Sequence, residues 1–351
     1  MSATASFDRA MKYVRPIVQT GPARPDGALT LAGGWGWFTH VEVLDRVAPA
    51  IVLPVGEVSP DALAPLIVPR VPIAGLTFDR PRIMGILNIT PDSFSDGGQH
   101  ASVETALQGA RKMTAADILD VGGESTRPGA AIVHVDEEIA RTAPVIVALK
   151  GAGIQQLISV DTRKALVAAA ALEAGAGLIN DVSGFTFDDA LAPLASDAGA
   201  PVCVMHAQGD PATMQNAPRY DDVLLDVYDF LADRIARLEE VGIPRSRIVA
   251  DPGIGFGKTL AHNLALLSRL SLFHSLGVPI LLGASRKKFI GTIGGQAQAD
   301  QRLPGSLAVA LSALKHGTQI VRVHDVQETA QAIALWQATV AGSWDDKTIR
   351  N

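Results

Sequence analysis

Polar side chains recur at one kind of place in this chain, at or just past the ends of short runs of β-branched residues. Asn88 follows Ile83–Leu87, and Asp120 stands in Ile118–Val121 before Gly122-Gly123-Glu124-Ser125-Thr126-Arg127. Asp161 follows Gln156–Val160, Asn180 and Asp181 follow Leu178–Ile179, and His206 follows Val202–Met205. Asp251 follows Arg247–Ala250, Ser285-Arg286-Lys287 comes after Ile280–Leu282, and Gln319–Val323 carries Arg322 with His324 beyond it. Taken singly, an Asp at such a junction reads equally well as a cap for the next helix, and this applies to Asp161 and Asp325. Capping does not account for Arg286, Lys287, Arg322 and His324 at the same end. Cations there oppose the positive ends of helices unless an anion is shared, so an anionic ligand is expected.

Two further segments bear on chemistry. Asp251-Pro252-Gly253-Ile254-Gly255-Phe256-Gly257-Lys258-Thr259 ends like a phosphate loop. The pattern G-x-x-x-x-G-K-[ST] is not met, because Gly253 stands one place too close to Lys258, and a nucleoside triphosphatase is rejected. What remains is a glycine loop that carries Phe256 at the mouth. Thr90 to Gly98 and Gly122 to Gly129 are long and polar, and are expected to act as lids. No side chain reads as a covalent nucleophile. Cys203 lies inside an apolar run and is expected to be a small buried residue.

The elements that must position these groups follow from periodicity. Each of the eight apolar runs precedes an Ala-rich stretch of helical period: Val103–Ala115, Glu137–Ala152, Arg163–Ala174, Ala190–Asp197, Asp222–Val241, Leu260–Leu272, Ser306–His316 and Val326–Val340. Repeated strand–helix units predict an α/β fold, a TIM (β/α)8 barrel with ligand groups at the carboxyl ends of its strands. An open, doubly wound sheet is the alternative. Residues 1–80 are richer in Pro and are expected to form a small extension of unknown role. Within it, Ala28–Leu31 and Ile51–Val55 read as strands, and Trp35, Trp37 and Phe38 as a local core. Residues 81–342 form the barrel and 343–351 a tail. Asp45 and Glu239 read as solvated helix positions.

Composition agrees. The chain has 351 residues, 48% hydrophobic and 19% charged, which is globular. A net charge of -6 argues against a broad nucleic-acid or anionic-membrane surface. A single cysteine excludes an internal disulfide and a multi-cysteine metal site. No apolar run approaches the length of a membrane span, and Met1 to Tyr13 lacks a signal-peptide core, so a cytoplasmic location is expected.

MGILNITPDSFSDGG (84–98), DVGGESTRPGA (120–130), DPGIGFGKT (251–259), SRKKFIG (285–291) and RVHDV (322–326) occur in order. Together they resemble dihydropteroate synthase, over about residues 82–340. The resemblance implies condensation of 6-hydroxymethyl-7,8-dihydropterin diphosphate with 4-aminobenzoate to give 7,8-dihydropteroate and pyrophosphate, a step of folate synthesis. By resemblance Asp161, Asn180, Asp251, Lys287 and Arg322 bind the pterin. Asn88, Thr126, Arg127, Arg322 and His324 meet the diphosphate, and Phe94, Pro128, Phe256, Lys287 and Lys288 meet the aminobenzoate. Asp161, Lys287, Arg322 and His324 carry the catalytic roles. Mg2+ is the implied cofactor, with Asn88 as its ligand, and a homodimer is the implied assembly. Lys288 replaces a small Ser common in the family, and Ala207 replaces a Met. Two alternatives stand beside this reading: a pterin-dependent methyltransferase domain and a non-catalytic pterin-binding paralogue.

Overall fold

Residues 12–89, 98–125, 132–209 and 214–343 are described by the computed structural model. Strands β1 (Tyr13–Pro16), β2 (Leu29–Thr30), β3 (Trp37–Phe38), β4 (His40–Leu44) and β5 (Ile51–Pro54) lead into helix α1 (Pro60–Ile67). An antiparallel sheet runs β1-β4-β5, and β2 pairs with β3. Phe38, Val41, Leu31 and Leu66 form a separate small core there. Trp35 departs from the expected local core: it packs on the barrel's core, and its indole N–H donates to the Leu314 carbonyl at 2.9 Å. Asp45 is not on a helix; it caps a turn, accepting from the Val47 and Ala48 N–H groups. Ion pairs join this region to the barrel. Glu42 takes Arg15 and Arg269 at 2.5 and 3.1 Å, and Arg46 spans Asp226 and Asp229 at 2.8 Å each.

The barrel strands are β6 (Arg82–Asn88), β7 (Ile118–Gly122), β8 (Leu157–Asp161), β9 (Leu178–Asp181), β10 (Val202–Met205), β11 (Ile248–Asp251), β12 (Leu281–Leu282) and β13 (Ile320–Val323). They form one parallel sheet in the order β11-β10-β9-β8-β7-β6-β13-β12, and a bridge between Ala250 and Ile280 joins its two edges. The sheet closes into a barrel, as the eight apolar runs predict. The intervening helices are α2 (Gly98–Lys112), α3 (Val135–Gly151), α4 (Ala165–Glu173), α5 (Leu191–Asp197), α6 (Val223–Glu240), α7 (Leu260–Ser268), α8 (Lys288–Gly294), α9 (Leu303–Lys315) and α10 (Val326–Ala341). Two differences from the sequence reading go beyond shifted helix ends such as Gly98 for Val103 and Leu303 for Ser306. The stretch from Leu260 stops as an α-helix at Ser268 and continues as a 3-10 segment, Leu270–Leu276. Helix α8 was not expected, because seven residues hold too few turns for a periodic signal.

Strand periodicity divides the barrel interior into levels. Ile118, Leu178, Cys203, Val249, Leu281 and Ile320 share one apolar cluster with Ile73 and Phe78, which approach from the segment before β6. This is the floor. Cys203 is fully buried there, as expected, and burial pushes its thiol pKa well up. Two residues further along five of the same strands stand Asp120, Asn180, Met205, Asp251 and Arg322. The same alternation therefore seals one end and places polar groups at the other.

Candidate active site

Arg322 ties three strands together at the mouth. Its Nε donates to Asp120 Oδ2 at 2.6 Å, and its Nη2 donates to Asp161 Oδ2 at 2.7 Å. Asn180 Nδ2 donates to the same Asp120 oxygen at 2.9 Å. Asp120, Asp161 and Asn180 are buried. Burial works against the Arg322 charge, but Asp120 and Asp161 outweigh it and raise the pKa. Burial pushes Asp161 up to about 7, with Arg322 opposing and neighbouring carboxylates adding to the rise.

Across the mouth, Asp251 ends β11. Its carboxylate accepts from the Gly253 N–H at 2.7 Å, which fixes it at the root of the glycine loop. Burial raises its pKa, while Lys287 and that N–H oppose the rise. Lys287 Nζ donates to the Ile254 carbonyl and lies 4.3 Å from the centre of the Phe256 ring. Burial brings Lys287 down to about 7, against the pull of Asp251. A Cβ built on Gly283 would sit 3.5 Å from Asp251 Oδ2 and 3.9 Å from Arg322 Cβ. The glycine after β12 thus keeps the space between these two side chains open. Asp161, Asn180, Asp251, Lys287 and Arg322 all come to this one end of the barrel.

Asn88 is exposed at the end of β6. A Cβ on Gly122 would lie 3.4 Å from Asp161 Cβ and 3.7 Å from Asn88 Oδ1, so Asn88 flanks Asp161 across a bare glycine. His324 Nδ1 lies 3.1 Å from Ser285 Oγ, which holds the imidazole beside the loop after β12. Lys288 is exposed at the first turn of α8, where its backbone N–H opens the helix. Phe94, Thr126, Arg127 and Pro128 lie outside the described residues, as do most of the two expected lids.

The expectation of cations awaiting an anion needs correction. Arg286 pairs with Asp325, and its Nε reaches Asp325 Oδ2 at 3.0 Å. Arg322 pairs with two carboxylates. Asp325 is the residue before α10, yet its side chain caps nothing and holds Arg286 instead. Asp181 turns out to be a loop brace: its oxygens accept from the N–H groups of Ser183 and Phe185, both at 2.7 Å, and from the Ser183 hydroxyl.

Asp120 was noted in the sequence but given no role. It orients both Arg322 and Asn180, and its Oδ1 has no hydrogen-bond partner among the described residues. Its signal was a charged residue inside an apolar strand run, where a buried carboxylate must have partners. A second buried network was missed altogether. Lys164 Nζ donates to Glu138 at 2.6 Å and Glu124 at 3.1 Å, and Arg163 Nε donates to Glu124 at 3.1 Å. Glu124 Oε1 also accepts from the Val133 N–H at 2.9 Å, which joins the two sides of residues 126–131.

Comparison with known proteins shows the family. Residues 84–324 match the model of a family described as pterin binding enzyme. The dihydropteroate synthase of Escherichia coli (strain K12) is 47% identical over 268 residues, which cover 76% of this chain and 94% of that protein. The chain belongs to the dihydropteroate synthase family. A solved Xanthomonas albilineans dihydropteroate synthase with 4-aminobenzoic acid superposes with a TM-score of 0.72 at 45% identity, covering 80% of this chain and 99% of that one. The same organism's enzyme in complex with 7,8-dihydropteroate gives a TM-score of 0.69 at 43% identity, over 80% of this chain and 100% of that one. The barrel expected from the motifs is therefore the family's own. No helix of the described residues is long and apolar enough to cross a membrane.

Proposed function

We propose that this chain condenses 6-hydroxymethyl-7,8-dihydropterin diphosphate with 4-aminobenzoate, forming 7,8-dihydropteroate and pyrophosphate. The carrying observation is the convergence of buried Asp161, Asn180 and Asp251 with Lys287 and Arg322 at one mouth of a barrel of this family. A pterin edge alternates donors and acceptors. Carboxylates accept from its amino and ring N–H groups, Asn180 does both jobs, and Lys287 donates to its carbonyl or ring nitrogen. The unpartnered Asp120 Oδ1 supplies one more buried acceptor. The flat guanidinium of Arg322, held at two edges by Asp120 and Asp161, keeps a face for stacking on the pterin.

The diphosphate is assigned to Asn88, Thr126, Arg127, Arg322 and His324, nearer the solvent. Among the described residues no group of three His, Cys, Asp or Glu side chains would hold a metal. An exposed amide oxygen, that of Asn88, fits an ion carried chiefly by phosphate and water, as Mg2+ commonly is. Such an ion would neutralise charge on the departing pyrophosphate. The aminobenzoate is assigned to Phe94, Pro128, Phe256, Lys287 and Lys288.

The reaction begins with departure of the diphosphate. The bond from the pterin methylene carbon to its oxygen breaks, and the electron pair leaves with pyrophosphate. Arg322 and His324 stabilise that charge as it develops. The Asp161 carboxylate stabilises the cationic pterin left behind. The amine lone pair then forms the C–N bond, and one amine proton is released. A rate indifferent to the basicity of substituted anilines is expected; a steep dependence overturns the order of these steps.

A homodimer in the cytoplasm completes the proposal. Of the apolar face Leu307 to Leu314 on α9, Leu311 and Leu314 pack on the barrel core, and Leu307, half-buried one turn earlier, is left to meet a partner copy. The test of the function is pyrophosphate release with both substrates present. Release that needs aminobenzoate supports the synthase. Pterin binding without release supports a non-catalytic paralogue, and methyl transfer to a corrinoid protein supports a methyltransferase.

A further inference from the structure

Lys258, the lysine of the rejected phosphate-loop pattern, has no role in the chemistry above. It is nevertheless only 3% exposed. Its Nζ meets His206 Nδ1 at 2.8 Å, the Gly253 carbonyl at 2.9 Å and the Phe256 carbonyl at 3.0 Å, with the His206 carbonyl further off at 3.4 Å. Burial, with Lys287 nearby, pushes the Lys258 pKa well down, but a neutral amine has only two N–H groups and three close acceptors surround this nitrogen, which the ammonium alone can satisfy. Burial holds His206 neutral, and with the Lys258 ammonium as donor its Nδ1 accepts, which assigns the ring proton to Nε2.

The loop is built around that cation. Gly253, Gly255 and Gly257 have φ of +65°, +83° and +61°, values that favour glycine. A Cβ at Gly253 would lie 1.8 Å from the His206 carbonyl oxygen, and one at Gly257 would lie 2.4 Å from that of Gln208. These turns bring the Gly253 and Phe256 carbonyls onto Lys258. The intervening Ile254 carbonyl goes the other way and accepts from Lys287. The Tyr220 hydroxyl adds an outer tether, donating to the Gly257 carbonyl at 2.8 Å. Lys258 thus grips the loop from inside, and the loop holds Lys287 and Phe256 on its other side.

We propose that Lys258 is a positioning residue for the second substrate: it fixes the glycine loop so that Phe256 and Lys287 together form the aminobenzoate wall. The proposal rests on the synthase reading, in which those two residues meet aminobenzoate. The pterin end feels Lys258 less directly: Asp251 is anchored in β11 and reaches the loop only through the Gly253 N–H and the His206 N–H, at 2.7 and 3.0 Å, whereas Phe256 lies within the loop itself. Losing the lysine should therefore loosen the aminobenzoate pocket much more than the pterin pocket, which shares only Lys287 and the root of the loop with it.

Steady-state kinetics on the intact chain test this. Lys258→Met keeps the stem and removes the charge. It should raise the KM for aminobenzoate by about tenfold or more, while the KM for the pterin diphosphate stays within about threefold. Combined with Phe256→Ala, it should cost much less than the product of the two single effects, since both act on one wall. Equal rises in both KM values, a fall in kcat alone, or independent multiplication with Phe256→Ala would reduce Lys258 to a fold brace and overturn the proposal. If circular dichroism shows Lys258→Met unfolded, Tyr220→Phe takes its place. It should raise the aminobenzoate KM about two- to threefold, and an unchanged KM overturns the proposal. A wild-type chain that makes no dihydropteroate contradicts the synthase reading itself, which separates the two failures.

Discussion

The floor and the mouth of the barrel lie two residues apart on the same strands and are built on opposite terms. At the floor, Ile118, Leu178, Val249 and Ile320 close on Ile73 and Phe78, and no side chain needs a hydrogen bond. At the mouth, Asp120, Asn180, Asp251 and Arg322 occupy the corresponding positions, and each depends on a polar partner. Burial is favourable at the first and costly at the second. The mouth tolerates that cost through pairing: one guanidinium serves two carboxylates, and one carboxylate oxygen serves both an arginine and an amide. Stability resides at one end and ligand chemistry at the other.

The largest effect should come from breaking the mouth's central pair. Arg322→Met strands Asp120 and Asp161 as buried, uncompensated carboxylates. A loss of about 3–5 kcal/mol in chemical denaturation is expected, as for breaking a buried ion pair. Turnover should fall about a hundredfold to a thousandfold, since a charge-stabilising donor is removed. A fully stable variant would show that the carboxylates are neutral without their arginine.

Phe78→Ala sharpens the contrast from the floor. Phe78 is 4% exposed, and emptying its site should cost about 3–5 kcal/mol. The kcat of the protein that remains folded should be unchanged. A matching loss of kcat would mean that the two ends are mechanically coupled. Asp251→Ala should act in the reverse sense, weakening pterin binding by about 1–3 kcal/mol through an unpaired ligand donor. Titration calorimetry with the pterin alone measures it, with little change expected in the melting temperature.

Next in size is the pH dependence of pterin affinity. Asp161, raised to about 7, accepts from the ligand only as a carboxylate, so affinity should fall as pH drops through that value. Lys287, lowered to about 7, donates as an ammonium, so affinity should also fall as pH rises through it. A narrow bell centred near neutrality follows. Asp161→Asn should flatten its acid limb and Lys287→Met its alkaline limb. A flat wild-type profile would remove both groups from ligand binding. The smallest effect belongs to the periphery. Among the described residues Glu239 pairs with Arg245 alone, both well exposed, and Glu239→Gln should change stability by no more than about 0.5 kcal/mol.

Strand and helix order were legible because periodicity is a local property. The eight β-branched runs and the Ala-rich stretches carry their own 2- and 3.6-residue repeats. The positions of Asp161, Asn180, Asp251, Lys287 and Arg322 were legible for the same reason, since strand ends meet at one face of any such barrel. Asp120 had no assigned role and the Lys164–Glu138–Glu124 network went unseen, because their meaning lies in partners far away in sequence. Arg286 was misjudged likewise: its charge is visible in the sequence, but its neutralisation by Asp325 is not.

By itself, then, the chain of residues determined the βα repeat, the end of the barrel that carries chemistry, and the motifs that mark the family. Those depend on alternation and spacing within a few residues. Tertiary structure decided which charges are spent on one another, which glycines must stay bare, and that Lys258 faces inward on three acceptors. Such facts are set by distances between segments tens to hundreds of residues apart, and closure of the sheet fixes those distances only once every strand is in place.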